Sequence, residues 1–145
     1  MATMSCGEAA NSIDRNLRHS RADFRRLSTF DNYATISELH DVWKECSSIG
    51  WDGHGALPVE RETYHAAYCF IESLPLDFPL PAIGAEPDGQ LTMEWRKGPH
   101  RVLSVSVDPE GFLHYAGLFG MNKLYGTLVF FSDAPDKLLQ LVREL

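Results

Sequence analysis

Apolar side chains recur every three or four positions in the first half of this chain and every second position in much of its second half, the periods of helix and strand. Ile36, Leu39, Trp43, Cys46 and Ile49 form one stripe, which predicts a helix over 35–49. Thr35 with Glu38 reads as a capping box at its start, and Gly50 as the glycine that ends it. Ala66, Ala67, Phe70, Ile71 and Leu74 form a second stripe, predicting a helix from about Val59 to Ser73, with Glu60 and Glu62 where the macrodipole favours acids. A third, less regular set, Ile13, Leu17, Phe24 and Leu27, predicts a helix over 12–27, and Asp31-Asn32 has turn chemistry.

Beyond Leu74 the prolines at 75, 79 and 81 alternate with Leu76, Phe78 and Leu80, which favours an extended path over helix or central strand. Alternation then takes over in Leu91, Met93 and Trp95, in Leu103, Val105 and Val107, in Leu113 and Tyr115, and in a last strand from Tyr125 to Phe131. Turn residues at 87–89 precede the first of these and those at 97–99 and 108–111 separate the first three, and short turns force antiparallel neighbours. Ser132 or Asp133 caps a final helix carrying Leu138, Leu141, Val142 and Leu145 on one face. The expected fold is α+β: helices followed by a four-stranded antiparallel meander and a C-terminal helix. Residues 1–11 have no periodic apolar face and read as a disordered tail, leaving 12–145 as a single α+β domain.

Composition narrows the functional classes. Hydrophobic residues make up 44% and charged residues 23%, as in ordinary soluble proteins, and no apolar run approaches the roughly 20 residues that cross a bilayer. Met1–Ala10 lacks a basic start and an apolar core, so a cytoplasmic protein without a membrane partner is expected. Cys6, Cys46 and Cys69 are too widely spaced for a zinc signature and read as reduced thiols.

The net charge of −7 is unevenly spread: residues 1–33 carry five arginines against four acids, and the rest carries eight basic against sixteen acidic side chains. An acidic body disfavours direct nucleic-acid binding and suits a protein partner with a basic surface. Arg15, Arg18, Arg21, Arg25 and Arg26 could touch an acidic surface or simply form a solvated helix face.

The most distinctive stretch is Trp51-Asp52-Gly53-His54-Gly55-Ala56-Leu57-Pro58. It either turns a corner pinned by Trp51 in the core, or presents Trp51, Asp52 and His54 for binding. Catalytic groupings are weak elsewhere. His54, His65, His100 and His114 lack metal-ligand spacing, GxSxG and GxGxxG are absent, and Glu94 reads as one half of a cross-strand ion pair. No metal or cofactor is expected.

The loop WDGHGALP, a helix with Thr63, Ala66 and Ala67, the segment PLPAI and the strand DGQLTMEW resemble a group of small uncharacterised bacterial and phage proteins. These share a Trp-Asp-Gly-x-Gly-Ala-x-Pro loop and a downstream Asp-Gly-x-x-x-x-Glu-Trp strand. The resemblance spans about residues 35–107 and implies bacterial or phage origin, with no functional residue to carry over.

The expected function is a non-enzymatic protein-binding module, an inhibitor or antitoxin-like protein of a bacterium, phage or mobile element, with anti-CRISPR-type counter-defence as one version. The alternative is a small hydrolase or ligand-binding domain using the Trp51–Gly55 loop, with Asp52, His54 and Glu94. The last strand, apolar on both faces, predicts a homodimer unless the final helix covers it.

Overall fold

The computed structural model describes residues 29–145, with side chains from Tyr33 onward. The expected tail over 1–11, the helix over 12–27 and the five arginines lie outside the described residues. The described elements are helices α1 (Thr29–Glu45) and α2 (Arg61–Ser73), strands β1 (Ala82–Ala85), β2 (Leu91–Gly98), β3 (Arg101–Val107), β4 (Phe112–Phe119) and β5 (Asn122–Val129), and helix α3 (Asp136–Glu144). The fold is α+β with a closing helix, as the two periodicities require. The sheet has five strands and not four, in the order β1-β2-β3-β4-β5, every pair antiparallel.

The extra strand, β1, leaves the proline-rich path directly after Pro81. Ala82, Ile83, Gly84 and Ala85 have too little bulk to show an alternation, and the strand exists because Leu91–Glu94 supplies a pairing partner. The first described helix also departs from its expected bounds. It starts at Thr29, running through Asp31-Asn32, and ends at Glu45. Thr35 is therefore a buried position within the helix, and Glu38 accepts the Ile83 N–H at 3.2 Å instead of closing a capping box. Ile49, expected on the apolar stripe, is exposed beyond the helix end. The second helix agrees with its stripe: Ala66, Ala67, Phe70 and Ile71 are all buried.

Register assigns the two sheet faces. Leu91, Met93 and Trp95 face the core beside Val107, Val105 and Leu103, which in turn lie beside Leu113, Tyr115 and Gly117. Burial follows this alternation through β2, β3 and the start of β4, so the one-sided amphipathic sheet read from the sequence is present. Phe70 of α2 meets Phe130 edge-on, with ring centroids 5.7 Å apart, which ties the helix layer to the segment after β5. Lys137 of α3 sits 5.5 Å over the Tyr115 ring, and Arg101 Nη1 donates to the Glu144 carbonyl at 3.1 Å, holding α3 on the core-facing side.

The β4–β5 hairpin turns at Gly120-Met121, so Tyr125 lies within β5 and not at its start as expected. Alternation persists in the last apolar run: Phe130 is buried, while Val129 and Phe131 are exposed. Among the cysteines, Cys46 is free and buried, whereas Cys69 is disulfide-bonded, contrary to the reduced state expected for it. Among the described residues no helix is long and apolar enough to cross a membrane.

Candidate functional site

The loop between α1 and α2 is closed by its own hydrogen bonds. Val59 N–H donates to the Cys46 carbonyl at 2.8 Å, and Gly50 N–H to the Ala56 carbonyl at 2.7 Å. Trp43 Nε1 donates to the Val59 carbonyl at 3.1 Å, and Trp51 Nε1 to the Leu57 carbonyl at 2.9 Å. Asp52 Oδ1 accepts the N–H groups of His54 (2.8 Å) and Ala56 (3.0 Å), an Asx turn that winds the chain around one carboxylate. These two N–H groups hold the Asp52 carboxyl below its ordinary value. Gly53 and Gly55, on either side of His54, take φ of +78° and +85°, where a Cβ would strain both turns.

Of the three loop residues expected to bind, two are thus committed internally. Trp51 is half-buried against the core with its indole donor used, and the Asp52 carboxylate organises the turn. His54 is exposed. The third member of the hydrolase alternative, Glu94, is on the outer face of β2, where Oε1 pairs with Arg96 Nε two residues along at 3.0 Å and Oε2 accepts from Ser104 of β3 at 3.3 Å. The ion pair is within one strand, not across two. Asp52 and His54 lie in the loop that ends at α2, and Glu94 is held by its own strand neighbours, so no shared acid-base pair is formed by these hydrogen bonds.

The outer face holds a constellation that sequence reading missed. His114 Nδ1 lies 2.9 Å from Thr127 Oγ1, and His114 Nε2 lies 2.9 Å from Asp108 Oδ2. Asp108 Oδ1 also accepts the Phe112 N–H at 2.9 Å, so the carboxylate closes the β3–β4 turn while bracing the imidazole. The sequence signal was the Asp108-Pro109-Glu110-Gly111 turn followed by His114. The hydroxyl could be found only with the β4–β5 register, which pairs His114 with Thr127.

The turns at the two ends of the sheet differ in charge. The β1–β2 and β3–β4 turns and the segment after β5 carry Glu86, Asp88, Asp108, Glu110 and Asp133, with no lysine or arginine. Next to these acids Phe112 and Val129, directly opposite in the ladder, are exposed together with Phe131. The other end, at the β2–β3 and β4–β5 turns, carries Arg96, Lys97, His100, Arg101 and Lys123. A chain of net charge −7 therefore concentrates positive charge at one end of its sheet.

Among the described residues, no group of three or more His, Cys, Asp and Glu side chains is placed to hold a metal ion. Cys46, beside the loop, has its thiol pushed above the ordinary value by burial and by neighbouring Glu45, which disfavours a nucleophilic thiolate. No protein-family model matches the sequence, and comparison with curated proteins and with solved structures finds no match.

Proposed function

We propose that this chain is a non-enzymatic protein-binding module that contacts its partner through the acidic end of the sheet. The observation that carries the reading is the exposure of Phe112, Val129 and Phe131 beside Asp108, Glu110 and Asp133. Exposed aromatic and branched side chains supply area that gains from desolvation, and a rim of carboxylates selects a basic partner and speeds encounter. The internal satisfaction of the Trp51–Pro58 loop supports the same reading, since it gives those residues a structural task. An inhibitor or antitoxin-like role in a bacterium, phage or mobile element, including anti-CRISPR-type counter-defence, is the narrower form, resting on acidic charge and sequence resemblance.

A hydrolase is the second reading, now favoured by Thr127, His114 and Asp108 in place of Asp52, His54 and Glu94. Their hydrogen bonds follow the order of nucleophile, base and orienting acid. One experiment separates the two: a panel of model esters and phosphoesters, assayed alongside an array of peptides graded in basic and apolar content. The binding module is silent on the esters and selects basic, apolar peptides. Ester turnover that Thr127→Ala and His114→Ala both abolish would replace it with the hydrolase.

A further inference from the structure

The two edges of the sheet are finished differently. β1 is four residues long, packs against α1, and has its Ile83 N–H taken by Glu38. β5 is eight residues long and contains no proline and no acid, and its one charged side chain is Lys123. It pairs with β4 on one side, and among the described strands it has no neighbour on the other. Around it Met121 is 95% exposed, Tyr125 85% and Phe131 64%. A long strand edge flanked by exposed apolar side chains is what native proteins ordinarily shorten, charge or cover.

We propose that β5 pairs antiparallel with β5 of a second copy of this chain, joining two five-stranded sheets across a two-fold axis. Charge favours this occupant. Antiparallel pairing reverses one copy against the other, so the end with Lys97, Arg101 and Lys123 lies beside the second copy's end with Asp108, Glu110 and Asp133. A parallel arrangement would set like ends together.

Opposite residues of an antiparallel pair share a face, so the register must match outer positions with outer ones. The register with Gly126 on the axis does this over nearly the whole strand. It sets Leu124 opposite Leu128 of the second copy on the core-facing side, and Tyr125 opposite Thr127 on the outer side. Met121 then meets Phe131 of the second copy, an exposed thioether against an exposed ring. Lys123 falls opposite Val129 of the second copy, and no like charges are opposed. The interface is isologous and closes as a dimer.

Sedimentation equilibrium on the full-length chain tests this and its register together. The wild type sediments at twice the chain mass at micromolar concentrations. Val129→Lys puts a second ammonium opposite Lys123 at both ends of the seam and weakens the dimer at least about tenfold, as like charges directly opposed in a ladder do. Adding Lys123→Glu restores it, since each pair then carries opposite charges. Hydrogen exchange of the wild type, which needs no variant to fold, shows β5 amides protected in proportion to dimer content.

A monomer across the whole concentration range overturns the proposal, including the case in which residues 1–28 cover the edge. A dimer indifferent to Val129→Lys, or one that Lys123→Glu fails to restore, overturns it as well. The dimer takes Val129, Phe131 and the acids beside them from the surface of the protein-binding reading, so the two compete for the acidic end. A monomer that still binds basic peptides through Phe112 would remove the dimer and leave that reading standing.

Discussion

The Leu57 N–H donates to the Pro87 carbonyl at 2.8 Å, joining the loop before α2 to the turn before β2. The contact is tight enough that a Cβ on Gly89 would lie 3.0 Å from the Pro58 carbonyl oxygen. In a side-chain link, Trp95 Nε1 donates to the Pro79 carbonyl at 2.7 Å. The Trp51–Pro58 loop, the Pro79–Pro81 segment and the Asp88–Trp95 stretch are thereby parts of one hydrogen-bonded frame.

Gly89→Ala tests this frame. Gly89 sits at φ +92°, and its added methyl group would press on the Pro58 carbonyl. Left-handed strain and the clash together cost about 1–3 kcal/mol, read as a lower midpoint in urea with an unchanged slope. An unchanged midpoint would mean that loop and turn do not pack.

Trp51 and His54 separate sharply as substitutions. Trp51→Ala removes a half-buried indole and its bond to Leu57, and should cost about 2–3 kcal/mol, below the loss for a wholly buried ring. His54→Ala removes an exposed side chain and should change stability by less than about 0.5 kcal/mol. Equal, small losses measured by chemical denaturation would free Trp51 for binding and revive the loop as a recognition surface.

Acid titration probes the Asx turn. The Asp52 carboxyl is held below its ordinary 3.8 by the N–H groups of His54 and Ala56, so the folded state prefers the carboxylate. Its contribution is fully present above 3.8 and is lost as the pH falls through the lower folded value. Asp52→Asn keeps an accepting oxygen without the titration, so its stability should fall less than that of the wild type over this acid range. Parallel acid profiles of the two proteins would place the carboxylate outside the turn.

How far the sequence disclosed this molecule depended on how local each signal was. The α2 stripe and the β2–β3 alternation are local, and both appear where periodicity put them. Glu38, three residues after Thr35, reads as a cap, but tertiary contact decides otherwise: its partner, Ile83, is 45 positions away. β1 was invisible because Ala82–Ala85 has no pattern until β2 pairs with it. At the candidate site, a tight turn could be anticipated from Gly53 and Gly55, which flank His54. The His114–Thr127 contact could not, because it depends on a hairpin that turns at Gly120-Met121, without the proline or paired turn residues that marked the others.

Binding of a basic protein surface by the acidic end of the sheet is measured by fluorescence anisotropy with a basic, apolar peptide selected on the array. Phe112→Ser and Glu110→Lys should each weaken binding about tenfold, a loss of about 1.4 kcal/mol, and added salt should weaken the wild type more than Glu110→Lys. His54→Ala should bind as the wild type does. Binding that survives both Phe112→Ser and Glu110→Lys but is lost in His54→Ala would rule out the acidic end and return the recognition site to the Trp51–Pro58 loop.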